Sequence, residues 1–155
     1  MASRGHRVAG SDRAFELPGP EHPALSLLRS EGITIVSQDG TSLDETFDLM
    51  VMSTAVESGR PEVIRARELA LPIKTRPEFL ADIVNGLDSI AVAGTSGKST
   101  TSGMLAHALK ELEGSVNFIG GGRVKGLGNK TPDVSYLSGD SRTMVFEADE
   151  SDGSI

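Results

Sequence analysis

The residues best suited to chemistry lie in segment 90–100, Ile-Ala-Val-Ala-Gly-Thr-Ser-Gly-Lys-Ser-Thr. An apolar stretch leads into a turn with two glycines, and Lys98 and Ser99 then open a helical pattern. Backbone N–H groups of such a turn, with the helix N-terminus behind them, bind phosphate oxygens. The Lys98 ammonium can reach terminal phosphates, and the Ser99 hydroxyl can bind Mg²⁺. The segment predicts a loop for a nucleotide such as ATP, formed by Gly94, Thr95, Ser96, Gly97, Lys98, Ser99 and Thr100.

This loop is a shortened variant, because the full phosphate-loop pattern has glycine at position 92, where this chain has Val92. The alternative interpretation is a plain strand-to-helix turn. The order of strand, glycine-rich turn and helix favours the phosphate loop.

Acidic residues follow a second apolar stretch, in segment 143–152, Thr-Met-Val-Phe-Glu-Ala-Asp-Glu-Ser-Asp. Ligands of open α/β sheets bind at the carboxyl ends of strands, and a carboxylate there can hold Mg²⁺. Glu147 is the first polar residue after the strand, so Ser99 and Glu147 are predicted to share one Mg²⁺, and Lys98 and Glu147 to be catalytic. Asp149 and Glu150 are expected to orient waters or contact substrate, and Asp152 is a further metal candidate. A solvated acidic loop is the alternative.

Segment 120–128, Gly-Gly-Gly-Arg-Val-Lys-Gly-Leu-Gly, has two equally weighted interpretations. It is either a loop that approaches phosphate or substrate through the cations Arg123, Lys125 and Lys130, or a flexible connector. The three histidines, at positions 6, 22 and 107, show no ligand spacing.

The elements that would position these residues alternate along the chain, which predicts βαβ units in an α/β fold. Predicted strands are Arg7–Gly10, Ile33–Val36, Asp48–Ser53, Leu71–Lys74, Ser89–Ala93, Ser115–Ile119 and Thr143–Phe146. Predicted helices are Ala24–Ser30, Pro61–Ala70, Pro77–Asn85 and Lys98–Glu113. In the last helix an apolar stripe is expected to pack on the sheet, formed by Met104, Leu105, Ala108, Leu109 and Leu112. An Asn-Gly pair at 85–86 suggests a division into domains 1–86 and 87–155.

The composition excludes several classes of protein. The 155-residue chain has 15 Lys and Arg against 22 Asp and Glu, a net charge of −7, which argues against non-specific nucleic-acid binding. With no cysteine, disulfides and thiolate zinc sites are excluded. No apolar run approaches the ~18 residues of a membrane span. The chain also lacks a secretory signal at its start, so the sequence predicts a cytoplasmic protein.

These motifs resemble those of the Mur ligases, in the branch that adds L-alanine to UDP-N-acetylmuramate and in its muropeptide-recycling relatives. The resemblance rests on AVAGTSGKSTT at 91–101 and FEADESD at 146–152. Further similar segments are Val8–Asp12, Met52–Val56, Arg60-Pro-Glu and Arg76-Pro-Glu-Phe-Leu-Ala. The resemblance departs at Ser96 and Ser99, where this branch commonly has His and Thr, and at 129–132 (Asn-Lys-Thr-Pro), which resembles other members. The identity of the acceptor substrate therefore stays open.

The resemblance implies a Rossmann-like N-terminal substrate domain without its first strand, then the start of an ATP-binding parallel-sheet domain. It implies ATP and Mg²⁺, and an acyl phosphate formed on the carboxylate of UDP-N-acetylmuramate that an amino acid attacks, in peptidoglycan synthesis. The UDP-sugar is expected to contact Ser11, Asp12, Ser53, Thr54 and Arg76. The sequence would then be an internal piece of a longer ligase, inactive by itself. The alternatives are another Mur-superfamily ligase with a different acid, or a phosphate-loop kinase or nucleotide-binding module. The oligomeric state stays open.

Overall fold

The computed structural model describes residues 1–16, 22–128 and 133–148. The chain divides into two compact units, Met1–Thr75 and Arg76–Ile155. Each unit combines helices with parallel strands, so the predicted α/β fold with a Rossmann-like arrangement is confirmed.

The first unit contains two small parallel sheets. Strand β1 (Ala9–Gly10) pairs with β2 (Thr34–Ile35), and β3 (Met50–Met52) pairs with β4 (Ile73–Thr75). Helix α1 (Pro23–Ser30) lies between β1 and β2, and helix α2 (Pro61–Glu68) lies between β3 and β4. Each helix is the crossover between two parallel strands, which is the βαβ connection that the alternating pattern predicts.

Helix α2 carries two of the four buried apolar residues that the structure describes in the first unit. Val63 and Ala66 are fully buried on its inner face, and Leu71 is buried just after the helix. Pro61 occupies the first turn, where its missing N–H costs no helical hydrogen bond. Gly40 passes close to this turn with a φ of 78°, and a Cβ there would lie 3.0 Å from the Pro61 carbonyl oxygen. Only glycine fits both the backbone and the space at this position.

The second unit contains one four-stranded sheet with the order β5-β8-β6-β7. Its strands are β5 (Asp88–Val92), β6 (Asn117–Lys125), β7 (Asp133–Leu137) and β8 (Thr143–Glu147). Strand β8 is parallel to both β5 and β6, whereas β7 is antiparallel to β6. Helix α3 (Arg76–Asn85) precedes β5, and helix α4 (Lys98–Glu113) connects β5 to β6. The bounds of α4 agree with the sequence prediction.

The core of this unit lies between α4 and the sheet. Its centre is a cluster of buried residues, which are Ala106, Val116, Phe118, Leu127 and Val145. The predicted apolar stripe of α4 is wrong in part, because Met104 is 70% and Leu112 is 82% exposed and Ala108 is exposed too. Small residues face the sheet instead, with Ser102, Gly103 and Ala106 buried. A helix with small residues on its inner face can lie closer to the strands than one with a leucine stripe.

Segment 120–125 belongs to β6, so the interpretation of this part as a loop or connector is wrong. Pairs between β6 and β7 run from Phe118↔Leu137 to Lys125↔Asp133, with a register shift between Ile119 and Val124. Strand β7 was not predicted at all. The pairs on either side of this shift flank a glycine-rich stretch that has little strand propensity of its own.

No helix in the described part of the chain has the length and hydropathy that a bilayer crossing requires.

Candidate functional site

Two glycines shape the loop between β5 and α4. Gly94 has a φ of 144° and Gly97 has a φ of 77°. Both values lie in the region that side chains disfavour, so both positions need glycine. Thr95 and Ser96 lie between them and are exposed. The chain therefore turns sharply from the end of β5 into the first turn of α4.

The first turn of α4 presents backbone N–H groups at the end of the loop. Its first helical hydrogen bond runs from the Thr101 N–H to the Gly97 carbonyl at 2.9 Å. Lys98, Ser99 and Thr100 precede that bond, at positions where helix geometry supplies no carbonyl for an N–H group. Gly97 caps the helix without a side chain. The open N–H groups and the positive end of the helix dipole favour an anion here.

The Lys98 side chain folds back over the loop. Its Nζ donates a hydrogen bond to the Gly94 carbonyl at 2.9 Å, and the residue is half-buried. The ammonium charge therefore lies beside the same loop whose N–H groups favour an anion.

Glu147, the last residue of β8, lies at the centre of the site. Its carboxylate accepts a hydrogen bond from Ser99 Oγ, which is 3.1 Å from both carboxylate oxygens. Oε2 also accepts the Gly121 N–H at 2.7 Å. The pairing of β5 with β8 explains this meeting, because Val92 is in register with Glu147 and the loop begins directly after Val92. The structure thus brings together Ser99 and Glu147, the two predicted metal ligands.

The glycines at 120–122 are the part of this site that the sequence left ambiguous. A Cβ on Gly121 would lie 3.1 Å from Glu147 Oε2, and a Cβ on Gly122 would lie 3.5 Å from Ser99 Cβ. The signal was a run of three glycines directly after the apolar residues Phe118 and Ile119. Such a run inside a strand indicates a close approach of other groups to the backbone.

A groove of about 540 Å³ runs from the first turn of α4 along β6. Ser99 and Met104 line its helix side, while Arg123 and Lys125 lie on its strand side. None of the described residues that line the groove is acidic, although the chain is acidic overall. Exposed His107 is also part of its wall. The groove therefore offers positive charge next to the Ser99 hydroxyl.

The other predicted acids, Asp149, Glu150 and Asp152, lie outside the described residues, as do Lys130 and the Asn129–Pro132 segment.

Three of the predicted sugar-nucleotide residues line one cavity of about 720 Å³ in the first unit, namely Ser11, Asp12 and Ser53. Thr54 follows Ser53 in an exposed turn. Arg76 begins α3 and belongs to the second unit. Asp12 Oδ1 accepts the Ala14 N–H at 2.8 Å and caps a short 3₁₀ turn, so part of its hydrogen-bonding capacity is structural.

Sequence reasoning missed three residues of this cavity. Ser11 Oγ donates to Glu62 Oε1 at 2.5 Å, and Glu62 is only 7% exposed. Arg60 donates to the Gln38 side chain at 3.2 Å, and both line the cavity. Glu62 lies in the first turn of α2, where an acid is usually explained by the helix dipole, so its partner Ser11 was not evident.

Known proteins resemble the chain along its whole length. Residues 1–87 match the model of the Mur ligase family, catalytic domain. The chain is 39% identical to the UDP-N-acetylmuramate–L-alanine ligase of Streptomyces griseus and 40% identical to that of Carboxydothermus hydrogenoformans. Both alignments cover 100% of this chain and 31% of the relative, so the chain spans about a third of the curated relatives it matches.

Solved structures agree with these matches. The UDP-N-acetylmuramate–alanine ligase of Thermotoga maritima superposes with a TM-score of 0.77 at 32% identity, over 96% of this chain and 33% of that one. A murein peptide ligase from Psychrobacter arcticus has a TM-score of 0.77 at 30% identity, over 96% of this chain and 34% of that one. Since the family match covers more than half of the sequence and the relatives align along all of it, the chain belongs to the Mur ligase family.

Proposed function

We propose that the protein is an ATP-dependent ligase that joins L-alanine, or a related amino acid or peptide, to the carboxylate of UDP-N-acetylmuramate in peptidoglycan synthesis. The observation that carries the proposal is the hydrogen bond between the Ser99 hydroxyl, in the first turn of α4, and the Glu147 carboxylate, at the end of β8. The names of the aligned relatives supply the substrates. A reaction that uses ATP and a UDP-linked sugar belongs in the cytoplasm.

In this proposal the ATP phosphates bind at the N-terminus of α4. The loop from Gly94 to Thr100 wraps the phosphates with N–H groups, and Lys98 moves its Nζ from the Gly94 carbonyl to the terminal phosphates. The lysine charge reduces the repulsion between the γ-phosphate and the incoming substrate carboxylate. It also stabilises the charge on the phosphoryl group during transfer.

The residues at the site fit Mg²⁺. A hydroxyl and a carboxylate that already lie 3.1 Å apart are oxygen donors of the kind that Mg²⁺ prefers. Nowhere in residues 1–16, 22–128 and 133–148 do three His, Asp or Glu side chains gather to hold a metal. That is compatible with Mg²⁺, which usually takes one or two protein ligands with phosphate oxygens and waters. Ser99 and Glu147 would hold the ion, which would neutralise phosphate charge during transfer.

The proposed reaction has two steps. A carboxylate oxygen of the acid attacks the γ-phosphorus, the bond to the β-phosphate oxygen breaks, and ADP leaves. The amine of the amino acid then attacks the carbonyl carbon of the acyl phosphate, loses a proton, and expels inorganic phosphate as the amide forms. The chain's own contribution in both steps is to hold two anions together, through Lys98 and the N–H groups of the loop.

The UDP-sugar is proposed to occupy the cavity of the first unit. Ser11, Asp12 and Ser53 line this cavity and offer hydroxyl and carboxylate groups to ribose, base or phosphate, and Arg60 adds a positive charge. Thr54 and Arg76 remain proposed UDP-sugar contacts from the family resemblance, and neither lines this cavity. If UDP-sugar affinity stays unchanged after alteration of all five proposed positions, which are Ser11, Asp12, Ser53, Thr54 and Arg76, this assignment is wrong.

The central test is Lys98→Ala in the complete protein, measured as ATP-dependent amide formation and phosphate release. Loss of one charged contact to the transferring group should lower kcat roughly 10²–10³-fold. Arg142→Ala is the control. This substitution also removes one positive charge, but at the opposite end of β8, where the Arg142 side chain is 71% exposed. A normal rate in the Lys98 variant refutes the phosphate-loop assignment. For the wild-type protein, a phosphorylated acid as the final product supports a kinase instead, and absence of turnover with intact nucleotide binding supports a binding module.

A second test ranks the acids. Glu147→Gln should raise the Mg²⁺ requirement and reduce turnover far more than Glu150→Gln, since Glu147 contacts Ser99. The opposite ranking in a Mg²⁺ titration would show that the metal is held elsewhere in the acidic segment.

A further inference from the structure

The backbone of β6 contacts the carboxylate of the proposed metal site. The Gly121 N–H donates to Glu147 Oε2 at 2.7 Å, the shortest of the contacts that the structure gives this carboxylate. An N–H bond to a carboxylate is charge-assisted and therefore stronger than a bond between neutral groups. This contact restricts how the carboxylate can rotate.

The same residue also limits the space around the carboxylate. A Cβ on Gly121 would lie 3.1 Å from Oε2, closer than an ordinary van der Waals contact, and 3.4 Å from Oε1, at the short end of the ordinary range. The φ of Gly121 lies outside the left-handed region, and the residue is inside strand β6. The backbone therefore does not itself disfavour a side chain here, and the group that a side chain would press on is the Glu147 carboxylate.

The two neighbouring glycines differ in what they contact. A Cβ on Gly120 would lie 2.4 Å from the Phe118 ring, so Gly120 serves the packing of the core. A Cβ on Gly122 would lie 3.5 Å from Ser99 Cβ and 3.7 Å from Ser99 Oγ, which are ordinary contacts. Of the three, Gly121 is the one whose donor and missing side chain both act on Glu147.

We infer that Gly121 is a positioning residue for Glu147, and this inference rests on the proposed function. Its N–H anchors Oε2, and its lack of a side chain leaves the carboxylate in the orientation that meets Ser99. One lone pair of Oε2 accepts the hydrogen bond from the Gly121 N–H, so Oε1 is the carboxylate oxygen with more capacity to bind a cation. Partners that orient a metal ligand in this way commonly contribute about 10–100-fold to metal affinity, and we expect an effect of that size here.

The experiment compares Gly121→Ala with Gly86→Ala in the complete protein. Both variants add one methyl group to the second unit, but only the first presses on Glu147. Gly86 precedes β5, at the strand end opposite the loop, and a Cβ there would make only ordinary contacts. The readout is the dissociation constant of Mn²⁺, used in place of Mg²⁺, from paramagnetic resonance titration in the presence of ADP. We expect about a 10-fold or larger increase for Gly121→Ala and a value near wild type for Gly86→Ala. ADP affinity measured with a chelator should be the same in all three proteins.

A third variant separates the effect of the Gly121 N–H from the effect of the missing side chain. An ester in place of the amide at Gly121 removes the N–H and adds no side chain, and it should weaken Mn²⁺ binding in the same direction. If the Gly121 and Gly86 variants bind Mn²⁺ equally, or if the ester has no effect, Gly121 does not position Glu147. If the wild-type protein itself shows no ADP-dependent Mn²⁺ binding, the proposed function fails instead. Melting temperatures identify a variant that has lost its fold, in which case the ester decides.

Discussion

The contact between α4 and β6 gives a prediction whose size follows from the structure. A Cβ on Gly103 would lie 2.7 Å from Val124 Cγ2 and 3.3 Å from its Cγ1, but 3.6 Å from its Cβ. Gly103→Ala therefore forces one methyl group into another. Valine is stiff about χ1, so the strand or the helix has to move. Overpacking of this kind costs about 1–3 kcal/mol.

A second effect of the same substitution has the opposite sign. Alanine is favoured over glycine inside a helix by about 1 kcal/mol. Gly103→Ala by itself should therefore destabilise the second unit by about 0–2 kcal/mol. In a Val124→Ala background both Cγ atoms are gone and the remaining Cβ contact is ordinary. There, Gly103→Ala should stabilise by about 1 kcal/mol, so the coupling energy of the double-mutant cycle should be about 1–3 kcal/mol.

The assay is urea unfolding followed by tyrosine fluorescence. The chain has one tyrosine and no tryptophan, and Tyr136 lies in β7, so the signal reports the second unit. Thr101→Ala, on the exposed side of the same helix, controls for helix propensity. If Gly103→Ala has the same effect in both backgrounds, Val124 is not what restricts position 103, and the account of how α4 packs on the sheet is wrong.

Three other predictions concern stability and ionisation. Gly40→Ala should destabilise the first unit by about 1–3 kcal/mol, measured by thermal unfolding, because its positive φ and the Pro61 carbonyl both oppose a side chain. Asn117→Leu should cost about 1–3 kcal/mol, because the buried side chain donates to the Ser141 carbonyl and accepts from the Gly139 N–H; hydrogen exchange of the second unit measures the loss. The Thr41 hydroxyl holds the pKa of Asp39 below its ordinary value of 3.8. This depressed pKa stabilises the fold above pH 3.8 and the contribution is lost as the pH falls below it. Thr41→Val should raise the Asp39 pKa in a carboxyl NMR titration, and an unchanged value would contradict the hydroxyl contact.

The parts of the site that local chemistry dictates were predictable. Gly97 and Gly114 flank α4, and both have a φ of 77°, so the glycine pattern gave correct bounds for the helix. The rule that parallel strands present ligands at their carboxyl ends was enough to expect Ser99 and Glu147 on one edge of the sheet.

What the sequence could not show depends on contacts between distant segments. Glycine has low strand propensity, and β6 continues through Gly121 because of its contacts with Glu147 and its pairing with β7. Strand β7 alternates only weakly, with Asp133 and Tyr136 exposed, so hydrophobic periodicity did not reveal it. In α4, the hydrophobic periodicity predicted that the large apolar residues face the sheet. Small residues face the sheet instead, and Met104 lies on the exposed side of the helix.

The strand order has a consequence for how the protein is made. Among the described strands of the second unit, β8 comes after the other three in sequence, yet it lies in the middle of the sheet, between β5 and β6. During synthesis from the N-terminus, β5 and the β6–β7 hairpin leave the ribosome before β8 and expose unpaired edges, which are prone to aggregation. The register pair Val92↔Glu147 joins segments far apart in sequence, and such contacts form slowly. Ser99 and Glu147 can therefore meet only after β8 has emerged, and chaperones that shield strand edges should act before residue 143 has emerged.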